Sequence, residues 1–136
     1  MKIAFATDVI YPYTIGGSEK RIYEISKRLA SKGHEVHVFS LKLWATKNVI
    51  VMNHVLLHGV YSGSTIYSRS GKRNTKTAVF YALNLLPFLL KEEFDIIDCN
   101  QSPLLHCLTS KVATLLKSEC MVLTYYEVWD KYWYEY

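Results

Sequence analysis

The stretch GGSEKRIYEISKRLASKGHEVHVFS, residues 16–40, decides the fold. Ile22, Ile25 and Leu29 recur at helical spacing, while Lys20, Arg21, Glu24, Lys27 and Arg28 take the other side, so a helix with one apolar stripe is expected. Ser18 is the expected N-cap, with Glu19 well placed against the positive helix end. Gly33 ends the helix as a left-handed cap would, and Glu35 to Ser40 follows as a strand. Upstream, Lys2 to Thr7 (KIAFAT) reads as a buried strand. Asp8 to Gly17, which holds Pro12 and Gly16-Gly17, reads as a loop. Strand, loop, helix and strand make a βαβ unit, with a right-handed crossover expected.

Downstream, Val49 to Val60 offers one or two strands, and Tyr61 to Thr77 is a loop rich in Ser, Gly, Lys and Arg. A helix to Lys91 is expected to be interrupted at Pro87. Asp95 to Cys99 is a strand, Ser102 an N-cap with Pro103 at the first helical position, Leu104 to Lys117 a helix, and Cys120 to Thr124 a strand. Alternation of this kind predicts an α/β fold: a Rossmann-like, open, mainly parallel sheet with helices on both faces. A length of 136 residues fits one domain spanning 1–136.

A hydrophobic fraction of 50% with 21% charged residues is a globular composition. The net charge of +4 does not call for nucleic acid as partner. Cys99, Cys107 and Cys120 form no CxxC pair, so reduced thiols and a cytoplasmic location are expected. The apolar start is too short for a signal peptide, and the apolar run from Ala78 to Leu90 is too short for a transmembrane span. The basic cluster Arg69, Lys72, Arg73 and Lys76 reads as a solvated loop, or as a contact with an anionic acceptor or a membrane surface.

Ligands of open α/β sheets bind beyond the carboxyl ends of the strands, which directs attention to Asp8 to Gly17, to Asn100-Gln101 and to Tyr125 to Asp130. Gly16-Gly17 before a helix start lets backbone amides approach a phosphate or carboxylate; a tight turn is the other reading. No GxGxxG and no GxxxxGK[ST] occurs, which disfavours a flavodoxin-like or dinucleotide-binding domain. His54 and His58, and likewise His34 and His37, read as structural histidines rather than metal ligands. His106 and Cys107 are neighbours on a helix and point about 100° apart, against a catalytic pair.

With Pro12, Gly16, Gly17 and Glu19 followed by Gly33, His34, Glu35, Val36 and Val38, the sequence resembles a family 4 glycosyltransferase of the GT-B fold. Phe94-Asp95-Ile96-Ile97 with Ser102-Pro103-Leu104 is similar to that family's FDIIH…P segment, and VLTYYEVW to its VxTxH-x-x-W strand end. The resemblance covers nearly the whole chain. It implies retaining transfer of a sugar from a nucleotide-sugar donor, with no metal and no other cofactor. It also implies that this chain is the N-terminal, acceptor-side half, with the donor-binding domain absent. The substrate-binding residues it implies are Gly16, Gly17, Asn100, Gln101, Tyr126 and Glu127.

Two departures stand out. Glu119 and Glu127 match the spacing of the family's E-x7-E pair but bracket a strand, which at ~3.3 Å per residue holds them roughly 26 Å apart. Tyr126 stands where the family has a histidine, and a phenol with a pKa near ~10 cannot replace imidazole as a near-neutral acid or base. The catalytic residue is therefore unassigned. Trp129, Tyr132, Trp133 and Tyr136 fall on one helical face, an expected interface for a donor-binding domain or subunit, or for self-association. The chain is read as a truncated, degenerate or split enzyme, inactive alone, with a sugar or lipid-linked acceptor and peripheral membrane contact both open. The alternative is a non-enzymatic module that binds a small anionic ligand or a partner glycosyltransferase.

Overall fold

Side chains alternate across each strand, and in this chain both faces of the sheet are apolar. In β1 (Lys2–Ala6), Ile3 and Phe5 join one buried cluster and Ala4 and Ala6 the other. The computed structural model describes residues 1–63, 66, 74–102 and 104–126. The described elements run β1, α1 (Gly17–Ser31), β2 (Glu35–Leu41), β3 (Val49–Met52), β4 (Val55–Tyr61), α2 (Thr75–Lys91), β5 (Ile96–Asn100), α3 (Leu105–Lys117) and β6 (Cys120–Thr124). They form one six-stranded sheet of order β3-β4-β2-β1-β5-β6, parallel throughout except for the β3–β4 hairpin.

α1 covers one face, where Ile22 packs with Ile3, Phe5, Val36, Val38, Val55 and Leu57. α2 and α3 cover the other, placing Tyr81, Leu85, Leu89 and Ala113 against Phe39, Leu41 and Ile97. Each large side chain buried this way contributes roughly 1.5–3 kcal/mol. The Tyr81 hydroxyl donates to the Phe39 carbonyl at 2.8 Å, pinning α2 to β2 without leaving a buried phenol unbonded.

Three expectations change in detail, and one open reading is settled. The loop ends one residue early: α1 starts at Gly17 with Gly16 as cap, and the Ser18 hydroxyl bonds the Glu19 carboxylate instead of a backbone amide. α2 runs unbroken through Pro87. Pro87 and Leu83 lie on the exposed side, so the carbonyl deprived of its partner sits where water can replace it. At α3 the cap position is Leu104 rather than Ser102, and Pro103 lies outside the described residues. The Val49–Val60 segment is two strands, joined by a turn in which Asn53 and His54 both have positive φ, 51° and 65°, as a two-residue hairpin demands. Gly33, with φ of 86°, does end α1 in the left-handed region.

That turn separates the two histidines. His54 sits exposed at the tip, whereas His58 is buried on the α2 side with its Nε2 2.9 Å from Nδ1 of His37. His37 Nε2 meets Glu35 Oε1 at 2.9 Å, and Lys2 bridges Glu35 and Glu92. Glu35, His37 and Glu92 are close enough to share a cation, but the Lys2 ammonium already fills that role.

Candidate functional site

The order β4-β2-β1-β5-β6 places a topological switch between β1 and β5. The chain leaves β1 for α1 on one face, and reaches β5 from α2 on the other. Connections on opposite faces diverge, leaving a crevice at the carboxyl ends of these strands. A cleft of about 480 Å³ opens there, lined by Gly16, Gly17, Ser18, Glu19, Gln101, Ser102 and Tyr126. It unites the diglycine bend with the residues that follow β5 and β6, which lie far apart in sequence.

The two glycines differ. Gly16 is extended, a conformation open to any residue, and the carboxylate of Glu19 folds back against its Cα. A Cβ there would meet Glu19 Oε2 and lie 2.9 Å from Glu19 Cδ. Around Gly17 nothing lies within 4 Å of a Cβ position. Gly17 is therefore the open approach to the helix start, where unbonded amides and the helix dipole favour electron-rich groups. Glu19 is buried and already occupies part of that positive end.

Beneath the cleft, Asn100 joins three elements. Its Nδ2 donates to Thr7 Oγ1 at 3.1 Å, and its Oδ1 is 2.9 Å from His106 Nε2. Its carbonyl accepts from Cys107 Sγ at 3.1 Å, and Cys99 Sγ in turn approaches Cys107 Sγ at 3.4 Å. The contact with Cys107 and burial together hold the Cys99 thiol well above its usual pKa, so it stays protonated. Asn100 is thus a floor residue with a partner at each end of its amide, and it is not among the cleft-lining side chains. Cys99, His106 and Cys107 are mutually close, all within 4.8 Å, and sit in the core rather than in the cleft.

Gln101 and Tyr126 are different. Gln101 Oε1 is a buried atom with no hydrogen-bond partner among the described residues, whereas the Tyr126 hydroxyl is buried beside Arg21. Buried polar atoms are almost always paired, so the Gln101 oxygen marks a place for water or ligand. Arg21 lies over the Tyr126 ring, 5.6 Å from its centroid. Burial holds the Tyr126 phenol above its ordinary pKa, partly offset by Arg21, so it remains a neutral donor. Next to it, Thr124 donates to Asp98 Oδ1 at 2.8 Å. Burial raises the Asp98 pKa, against the pull of Thr124 and Arg21.

The structure therefore brings together Gly16, Gly17, Gln101 and Tyr126, and sets Asn100 below them. Glu127, Trp129, Tyr132, Trp133 and Tyr136 lie outside the described residues, as do Arg69, Lys72 and Arg73. Sequence reasoning missed Thr7 and His106 as partners of Asn100, and Arg21 beside Tyr126. The strand-end position of Asn100 pointed to the region, but nothing in the sequence signalled those contacts.

A larger opening of about 620 Å³ lies at the opposite, amino-terminal end of the strands, lined by Lys2, Asp95, Lys117 and Glu119 among others. Several of its charges meet one another or the backbone: Lys117 pairs with Glu119 at 3.2 Å, Glu119 Oε1 accepts from the Phe94 amide at 2.8 Å, and Asp95 from the Lys2 amide at 2.6 Å, while Glu119 Oε2 is buried without a partner among the described residues. Size favours that opening; position at the carboxyl ends of the strands favours the smaller one, and in an α/β sheet position carries more weight.

Among the described residues no helix is long and apolar enough to cross a membrane. Comparison with protein-family models gives one finding: residues 15–136, from the residue before the diglycine bend onward, match the model described as Glycosyltransferase Family 4. No curated protein matches the chain.

Proposed function

The chain belongs to glycosyltransferase family 4, and from that premise we propose that it works as the acceptor-side half of a sugar transferase whose donor-binding domain is supplied by another chain segment or polypeptide. The single observation that supports this most is the cleft itself: the open Gly17 approach faces Tyr126 and Gln101, whose Oε1 has no partner among the described residues, across one switch-point crevice. In this reading the donor is a nucleotide-sugar. Amides at Gly17 and the helix start stabilise negative charge that grows on its diphosphate as the sugar departs. Gln101 accepts from a sugar hydroxyl and Tyr126 donates to one. Asn100 acts indirectly, holding the ends of β1 and β5 at the spacing the cleft needs.

Tyr126 is assigned binding and not proton transfer, since a phenol held neutral is a poor near-neutral base. Residues 1–136 alone are accordingly proposed to bind without turning over. Glu127 is proposed to bind a sugar hydroxyl, and Trp129, Tyr132, Trp133 and Tyr136 to meet the donor-side partner or a second copy. The reading is tested by titrating uridine diphosphate and a simple hexose separately into the chain, with Gly17→Ala and Gln101→Ala alongside. Saturable binding weakened by both variants supports it, and binding indifferent to both removes the cleft from the site.

One observation favours a second reading. The Glu19 carboxylate lies against Gly16 at the helix start, and it offers hydroxyl acceptors where a phosphate would be repelled. A hydroxyl-rich neutral ligand then suits the cleft better than an anion, and the chain is a carbohydrate-binding module. Hexose binding without diphosphate binding selects that reading.

A further inference from the structure

Where the carboxyl end of β5 meets the first turn of α3, three side chains of metal-binding type converge in the core. Cys99 Sγ, Cys107 Sγ and a ring nitrogen of His106 all lie within 4.8 Å of one another, and the two sulfurs are 3.4 Å apart. All three residues are buried, and none of them lines the cleft. The hydrogen bonds around them set the histidine tautomer. The Thr7 hydroxyl spends its hydrogen on the Val9 carbonyl, so toward Asn100 it only accepts, and it takes the Asn100 amide nitrogen. The Asn100 oxygen is thereby turned to His106 Nε2, which carries the ring proton and donates it. In the neutral ring Nδ1 is then the basic nitrogen, the kind that binds a cation. An imidazole whose other nitrogen is held by a carbonyl has the outer support usual for a metal-binding histidine.

The sulfurs suit the same ion. Two thiolates each about 2.3 Å from one zinc, at the tetrahedral angle, sit about 3.8 Å apart, so the observed 3.4 Å has to open by only about 0.4 Å. Cys107 is the third residue of α3, and the positive end of that helix favours thiolate charge. The Asn100 carbonyl approaches both sulfurs, at 3.1 Å from Cys107 and 3.6 Å from Cys99, and offers an oxygen beside them.

We propose that Cys99, His106 and Cys107 form a structural site for one thiophilic d10 cation, zinc or cuprous copper, which clamps the start of α3 to the end of β5. Two thiolates and an imidazole select such ions over magnesium or calcium. Each thiol releases its proton to solvent as its sulfur binds, with no change of oxidation state. The site lies outside the cleft, and the proposal is independent of what the cleft binds.

Because all three residues are buried, the ion is expected to enter as the chain folds. The test therefore refolds the reduced full chain from urea with cobalt(II) as an optical probe, and with zinc or copper(I) in parallel. Thiolate-to-cobalt charge-transfer absorption is expected in the near ultraviolet, saturating at one ion per chain and vanishing when zinc is added. The zinc-loaded chain should melt at least about 3 °C above the metal-free chain. Competition with chelators of known affinity ranks zinc against copper(I) and so assigns the ion. Cys107→Ser and His106→Gln, made separately, lower the cobalt affinity at least roughly tenfold. Cys120→Ser removes the exposed thiol and leaves that affinity unchanged. Absence of the charge-transfer band in the unaltered chain overturns the proposal, as does undiminished affinity in Cys107→Ser or a band lost with Cys120→Ser. Band and stoichiometry are read on the unaltered chain, so a variant that fails to fold does not remove the test.

Discussion

Asn100 Nδ2 lies 3.1 Å from Thr7 Oγ1, and through this bond the carboxyl ends of β5 and β1 are fastened directly beneath the cleft. The other amide atom of Asn100 is engaged by His106 at 2.9 Å, so one side chain satisfies two buried groups. Asn100→Ala removes both bonds, although the Thr7 hydroxyl still donates to the Val9 carbonyl at 2.9 Å, and a loss of about 1–3 kcal/mol is expected. Urea denaturation measures it. A change within about 0.5 kcal/mol would mean the three groups find other partners.

The glycines of the bend should respond differently to alanine. At Gly17 the added methyl enters open space, so Gly17→Ala is expected to keep its melting temperature while weakening ligand by about fivefold, the equivalent of one close amide contact. At Gly16 the methyl takes the place of the Glu19 carboxylate, which must swing away, and Gly16→Ala is expected to move Glu19 out of the helix start at a cost of no more than about 1 kcal/mol. Melting curves of the two variants, side by side, check the contrast.

Acid should loosen the α2 face before it protonates the carboxylates. Burial, and then the neighbouring His37, bring the pKa of His58 from 6.5 down to about 4. Between those values the unfolded chain binds a proton that the folded chain refuses. Stability is therefore full above pH ~6.5, falls through the window to pH ~4, and levels off below it, a loss of about 3 kcal/mol. The charged groups around this pair are Glu35, Glu92, Lys2 and Lys91. Glu35 and Glu92 are held below their ordinary value by their hydrogen bonds to His37 and Lys2, so their own contribution is lost only further into acid. Urea midpoints across the window test this, and His58→Gln should flatten the slope.

Tyr81→Phe removes the hydroxyl that bonds the Phe39 carbonyl and nothing else. That carbonyl also accepts from the Thr7 amide at 3.1 Å, so it is not orphaned. The expected cost is about 1 kcal/mol, read from thermal or urea denaturation; a cost above about 3 kcal/mol would show that the hydroxyl carries more of α2 packing than one bond.

Much of the fold was legible because the strands are short apolar runs and the helices have a 3.6-residue stripe, signals that survive without knowledge of neighbours. What escaped depends on neighbours. Pro87 breaks an isolated helix, but here its unpaired carbonyl faces outward and α2 continues. Ser18 looks like a cap by type, yet the helix starts a residue earlier and Ser18 turns to Glu19. Asn53-His54 carries no glycine, so the hairpin turn had no sequence mark. In the candidate site, Gly16, Gly17, Gln101 and Tyr126 were found by position after strands, a rule of topology. Glu19 against Gly16, and Asn100 between Thr7 and His106, follow from side-chain directions that no spacing discloses.

The most direct test of the central claim, that the switch-point cleft is where ligand binds, is amide chemical-shift mapping during titration with a nucleotide-sugar. The account expects shifts concentrated on Gly16, Gly17, Ser18, Gln101, Ser102 and Tyr126. Shifts centred instead on Lys2, Asp95, Lys117 and Glu119 at the amino-terminal end of the strands, or none at saturating ligand, would contradict it.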